Sequence, residues 1–194
     1  QWLALEAVAE LVHLEFIQMM PGYLSPCRKT IFNEKTFRYT RLTGPDGRDI
    51  LENECDRQAL LECRSTHGPF TSRLASKRVD LAMVKAAQAA PEQGVTVTYG
   101  PQIRQDTPEF VRTYFDWLWE KKHLTMDDPV QIAPFAHAAN GGVRIDANGF
   151  TGVPGLYACG EVTGGMHGAD RIGGLSTANG LVFGKKAGES AAAF

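Results

Sequence analysis

The sequence predicts an α+β chain, with helices and strands mixed through its first two thirds and a glycine-dense segment closing in one long helix. Three observations carry this. Apolar residues recur at helical spacing in several stretches, among them 76–90. Val95 to Tyr99 alternates apolar and polar residues as a half-buried strand does. Residues 141–188 hold fourteen of the twenty glycines and run into an apolar, Ala-rich helix. Glycine is selected where a backbone takes positive φ or comes close to something flat or anionic, so this segment reads as a loop and helix that touch a cofactor.

The opening residues QWLALEAVAELVHLEF place Leu3, Ala7, Leu11 and Leu14 at helical spacing with no cap before Gln1, which predicts a helix entered part-way along. Residues 22–49 mix aromatic and β-branched side chains around a GPDG turn at 44–47 and predict short strands with a hairpin. Helices are predicted over 53–64 and 76–90, the second after the loop THGPFTSR. Thr107 and Pro108 read as the cap and first position of a further helix through Phe110, Tyr114, Trp117 and Leu118. Asp127, Asp128 and Pro129 break the chain after that helix. Strands are expected at 130–133, 142–146 and 156–159, and the closing helix at 177–192.

A net charge of −2 and 43% hydrophobic residues give no electrostatic case for nucleic acid or acidic lipid, so the expected partners are small molecules. No apolar run reaches the roughly 20 residues of a membrane span, and no basic leader precedes an apolar core. The chain is therefore read as cytoplasmic. Cys27, Cys55, Cys63 and Cys159 form no CxxC and no His-paired spacing, so four reduced thiols and no metal are expected.

The run from His137 through Gly141 and Gly142, then Val153 to Glu161, then Gly164 to Ser176, resembles the flavin segment of the fumarate reductase, succinate dehydrogenase and L-aspartate oxidase flavoproteins. That family's pattern is roughly HxxxGG, (V/I)xxxGxTxVPGLYAxGE and GGxHGANRLGGNSL. LVHLEFIQMMPG is similar to its strand (M/L)xxEFxQxHPT, which leads into a mobile capping domain. The resemblance implies a mixed α/β capping domain over about 22–129, and a partial flavin-binding α/β segment made of 1–21 and 130–194. Nothing ahead of Gly141 supplies the strand, glycine turn and helix that hold an adenosine pyrophosphate. The chain is thus expected to lack the N-terminal dinucleotide-binding half and, alone, to bind flavin poorly or not at all.

By the same resemblance, Arg171 in GADRIGG grips a substrate carboxylate with a bidentate fork, and His137 donates to the same group. The proton donor is an arginine opening a cap helix. Arg78 in LASKRVDLAMVKAA is assigned to it, although an ungapped alignment places Lys77 there and Arg73 lies nearby. Glu34 in FNEKTFR matches the relay glutamate of TExxR, with Arg38 one place late for the relay arginine. Glu161 matches the acid on the ribityl chain, while Gly174, Leu175, Ser176 and Thr177 would meet the flavin's pyrimidine side. Met20, Gly22 and Asn33 stand where the family has a histidine and two threonines, so a ligand with one carboxylate or an apolar end is expected over fumarate or succinate. The implied protein is an FAD-dependent oxidoreductase of the fumarate reductase or aspartate oxidase type, with a carboxylate-bearing substrate and an electron-transfer partner. The alternatives are an oxidase or dehydrogenase of an amino or keto acid, and a flavin-free binding module descended from such an enzyme.

Overall fold

A computed structural model describes residues 1–105 and 107–194. The chain divides into two units, one formed by Gln1–Met19 with Ala136–Phe194 and the other by Met20–Phe135. The resemblance puts these limits near 22 and 129; the structure shows strand β5 running unbroken over Val130–Ala139.

The Met20–Phe135 unit is built on a four-stranded sheet in the order β2 (Ile17–Ser25), β5, β4 (Val95–Tyr99) and β3 (Thr40–Thr43). The β3/β4 and β4/β5 pairs are antiparallel, with Leu42 opposite Val97 and Val95 opposite Ile132. Leu42, Val95, Val97 and Ile132 are fully buried and form one core with Leu60 and Leu61 of α2 (Arg57–Arg64), Val79 and Met83 of α3 (Lys77–Ala89), and Val111, Phe115 and Leu118 of α5 (Glu109–Lys122). The hairpin at 44–47 forms as expected: Gly44 N–H donates to Arg48 O at 2.8 Å, and Thr43 bridges Asp49.

The N-terminal helix is far shorter than its periodicity suggests. Helix α1 covers only Trp2–Glu6; Val8 turns left-handed at φ 64°, and β1 (Leu11–Val12) pairs antiparallel with β6 (Gly142–Val143). The backbone edge offered by the glycines outweighs helical spacing there. Thr107 does not cap α5 either. Its hydroxyl donates to Ile103 O, and Pro108 O accepts from Val111 and Arg112 at the helix start. The short helix α4 covers Gln102–Gln105, and the closing helix α6 runs over Leu175–Ala193.

One side chain of α2 stands apart from the hydrophobic pattern around it. Arg64 is 0% exposed, yet its guanidinium is satisfied on every side. Nε donates to Asp80 Oδ1 at 2.6 Å, Nη2 to Gly68 O at 2.8 Å and Nη1 to His67 O. The ring of Phe37 lies 4.8 Å from the guanidinium carbon and that of Phe70 lies 5.6 Å away. His67 itself hydrogen-bonds Ser76 Oγ and Pro69 O, both at 2.8 Å. One cation thereby ties α2 to the loop 65–76 and to the start of α3.

Burial raises the Asp80 carboxyl from its ordinary 3.8 to about 6, a push that Arg64 opposes without cancelling. A raised carboxyl holds its proton more tightly folded than unfolded. Its contribution to stability is complete below pH 4 and is lost as pH rises through about 6. Thermal unfolding followed from pH 4 to 7 is expected to show this falling component in the native protein and to lose it in Asp80→Asn. Arg64→Met, which leaves a buried charge alone, is expected to cost about 3–5 kcal/mol in a denaturant titration.

Candidate functional site

In the unit of Gln1–Met19 and Ala136–Phe194 the glycines divide into two kinds. A Cβ on Gly141 would lie 1.9 Å from His13 O, on Gly142 2.1 Å from Val162 O, and on Gly164 2.4 Å from Gly142 N. Three stretches of backbone converge there, and no side chain fits between them. This explains the Gly-Gly after HAAN without any ligand. Around Gly168, Gly173 and Gly174, by contrast, a Cβ would meet nothing within 4 Å. Gly174 caps α6 in a left-handed conformation, φ 85°, and no side chain caps the helix, so the N-terminal amides of a 19-residue helix face this open edge.

Beside that helix start lies a cavity of about 300 Å³ lined by Met166, His167, Leu175, Asn179, Val182 and Phe183. His167 Nδ1 and Asn179 Oδ1 are buried with no hydrogen-bond partner among the described residues. Desolvation, and then the positive charge of Arg171, lower the His167 pKa. An apolar slot with unmet polar atoms, a glycine edge and free helix amides fits the planar, hydrogen-bonding end of a flavin.

Glu161, expected at the cofactor, lies in the 3-10 turn Gly160–Val162. It accepts from the Ala139 amide at 3.2 Å, which fixes it beside the end of β5, two residues from the exposed His137. Arg171 is half-buried, and its carbonyl accepts from Gln18 Nε2 at 3.2 Å; Gln18 is 3% exposed. Ser176 and Thr177 lie in the first turn of α6 beside Leu175.

In the Met20–Phe135 unit, Asn33 caps the 3-10 helix Glu34–Tyr39, accepting from the Lys35 amide at 2.9 Å. A buried cap explains an amide where the family pattern has threonine. Glu34 lies beside Met20 across Gly68, whose Cβ would sit 3.1 Å from Met20 Cε and 3.9 Å from Glu34 Oε2. The cation that senses Glu34 is Arg64, whose charge it helps to stabilise. Arg38 is exposed and lines a different cleft with Tyr39, Arg41 and Arg57. Gly22 packs under Phe135, where a Cβ would lie 3.0 Å from the ring, so the threonine of the family pattern would require the ring to shift.

Arg78, at the second position of α3, donates from Nη1 to Glu54 Oε2 and from Nη2 to Asp56 Oδ2, each at 2.6 Å. Lys77 is exposed, and Arg73 donates from its amide to Thr71 Oγ1 at 3.2 Å. Sequence reasoning missed Arg64, Glu54, Asp56 and Gln18. An arginine at the end of an amphipathic helix reads as solvated, and only the packing of Phe37 and Phe70 shows otherwise. Gln18 carried a signal, since it stands in the matched strand EFIQMMPG.

A family profile described as FAD binding domain matches residues 2–177. The chain belongs to the FAD binding domain family. It is 54% identical over 191 residues to a fumarate reductase (CoM/CoB) chain of Methanothermobacter marburgensis, covering 98% of this chain and 34% of that protein. It is 54% identical over 199 residues to L-aspartate oxidase of Streptomyces coelicolor, covering 95% of this chain and 31% of that one. Among solved structures, Mycobacterium smegmatis Sdh1 in complex with UQ1 superposes with a TM-score of 0.74 at 28% identity, over 98% of this chain and 31% of Sdh1. The open conformation of a flavocytochrome c3 fumarate reductase shares the fold, with a TM-score of 0.67 at 21% identity. This FAD binding domain chain thus spans about a third of the length of the curated relatives it matches. Its cofactor is FAD, and its family is one of oxidoreductases. Among the described residues no helix is long and apolar enough to cross a membrane, and no group of His, Cys, Asp and Glu is arranged to hold a metal ion.

The two kinds of glycine separate in a paired experiment on the full-length protein. Gly141→Ala, with no room beside His13 O, is expected to lose on the order of 3 kcal/mol or more of stability. Gly173→Val is expected to stay within about 0.5 kcal/mol of the native protein while its flavin content, read by absorbance, falls.

Proposed function

We propose that the full-length protein transfers hydride between FAD and a carboxylate-bearing substrate at a CH–CH or CH–NH bond. The open glycine edge at the α6 N-terminus, with Arg171 just ahead of it, supports this reading most directly. When bound, FAD supplies the two-electron chemistry of its ring. The chain's own residues hold and orient. The amides of Gly174, Ser176 and Thr177 would face the flavin and favour negative charge there, with Leu175 between them tied to Ile172 O at 3.3 Å, and Glu161 would take the ribityl hydroxyls. Arg171, steadied at its carbonyl by Gln18, grips the substrate carboxylate as a fork, and His137 donates to the same group.

Arg78 is assigned the proton transfer. A guanidinium is a poor free acid, so it needs carboxylates that can reload it. Glu54 and Asp56 hold both its ends and can serve this purpose beside, or in place of, Glu34 and Arg38. Met20 and Gly22 replace a histidine and a threonine of the family pattern, which favours a substrate with a single carboxylate. The same observation supports the second reading, an oxidase or dehydrogenase of an amino or keto acid. A separate electron donor or acceptor completes the cycle.

Arg171→Lys in the full-length protein is expected to lower kcat/KM by an amount worth about 2–4 kcal/mol while flavin content holds; equal loss of both would make it a structural residue. Arg78→Ala is expected to cost several powers of ten in turnover, with flavin reduction by dithionite unchanged, and Glu34→Gln to give a smaller, pH-dependent loss. Lys77→Ala and Arg73→Ala remain active. If one of these abolishes turnover and Arg78→Ala does not, the donor is that residue; if none does, the chemistry is not of this type.

A further inference from the structure

The Met20–Phe135 unit holds an open cleft of about 800 Å³ between the end of the Glu34–Tyr39 turn, the start of β3 and the first turns of α2. Arg38, Arg41 and Arg57 line it, together with Gln58 and Gln102. Like charges gathered at one opening repel each other, so such a wall persists where something anionic offsets the repulsion. Of the two lining carboxylates, Asp49 is already taken. Its Oδ2 accepts from Arg57 Nε at 3.1 Å, while its Oδ1 accepts from the Leu51 amide at 2.9 Å. Glu62 accepts from the neutral Gln58 Nε2 at 3.2 Å, so its one negative charge stands against the two arginines, Arg38 and Arg41, that have no ion pair among the described residues.

Arg57 is held on a second side as well, Nη2 donating to Thr40 O at 3.1 Å, which fixes its plane at the wall of the cleft and leaves Nη1 unclaimed among the described residues. Arg41 stands on β3, the outer strand of the sheet, opposite Thr98. The guanidinium groups of Arg38 and Arg41 have no hydrogen bond or ion pair among the described residues. One braced fork and two unclaimed ones meet the geometric demand of a tetrahedral oxyanion better than lysines would, since each guanidinium offers paired N–H groups.

We propose that this cleft is a binding site for a phosphate dianion, either free phosphate or the phosphate of a small monoester. The site shares Arg38 with the proton relay that the resemblance implies and uses neither Arg171 nor His137. It makes the capping unit responsive to a second ligand that is not the carbon substrate. The cleft volume admits a monoester with a few carbons and leaves its neutral end towards solvent.

Calorimetric titration of the full-length protein with inorganic phosphate, and separately with glycerol 3-phosphate, tests this. One saturable site per chain is expected below about 10 mM, weakened roughly tenfold by Arg41→Gln and also by Arg57→Lys, which keeps the charge but loses the fork. Tighter binding of the monoester identifies that source, and equal or weaker binding identifies free phosphate. Arg171→Gln is expected to leave the titration unaltered, so failure of the hydride-transfer reading does not touch it. No saturable binding, binding indifferent to Arg41→Gln, or binding abolished by Arg171→Gln would each overturn the proposal. Because Arg41 is exposed and makes no internal bond among the described residues, its variant tests the ligand without testing the fold.

Discussion

A guanidinium removed from water must find a partner for each of its three nitrogens, and the Met20–Phe135 unit is arranged around that demand at Arg64. Two loop carbonyls, one carboxylate and two aromatic faces meet it. An apolar side chain in its place would leave the His67 and Gly68 carbonyls without this donor and Asp80 without its cation. The loop between α2 and α3 packs one apolar side chain, Phe70, on the core, while its Leu74 is exposed. Its course is further set by hydrogen bonds to one cation, and with it the position from which Lys77 and Arg78 emerge. Glu34, across Gly68 from Met20, feels the same charge.

Some forces leave a one-dimensional trace in a chain and others do not. Helix α3 and strand β4 were legible because burial on one face writes a period into the residues, and helix α6 because its sequence is apolar and rich in alanine. The hairpin at 44–47 was legible because its turn needs particular residues. Helix α1 was overextended because Val8 and His13 adopt positive φ at 64° and 57°, conformations that neither residue type announces. The end of that helix is set by an edge of Gly142–Val143 some 130 residues away, which no local window contains. Arg64 was invisible for a related reason: its surroundings come from Phe37, Phe70 and Asp80, far apart in the chain.

The flavin segment shows how one residue type serves two ends. Gly141, Gly142 and Gly164 are demanded by neighbouring backbone, whereas Gly168, Gly173 and Gly174 stay bare of neighbours at the head of a helix. A motif read as a whole hides this division, and the residues it lumps together fail in different ways when changed. The substituted positions divide likewise. Asn33 and Gly22 have structural reasons on their own side of the chain, a cap and an aromatic ring, so their departure from the family pattern is as much about packing as about substrate.

The convergence of His13, Gly141 to Gly142 and Val162 also fixes an order of events. It joins residues separated by more than a hundred positions, and the Met20–Phe135 unit with its own continuous core lies between them in the chain. Closing so long a loop is entropically costly while its interior is a random coil and much cheaper once that interior has collapsed. Collapse of the inserted unit ahead of the clasp therefore lowers the cost of closing it, because the unit shortens the loop between the early and late segments. A lesion in the Met20–Phe135 unit that slows its collapse would then be felt as incomplete assembly of the glycine clasp.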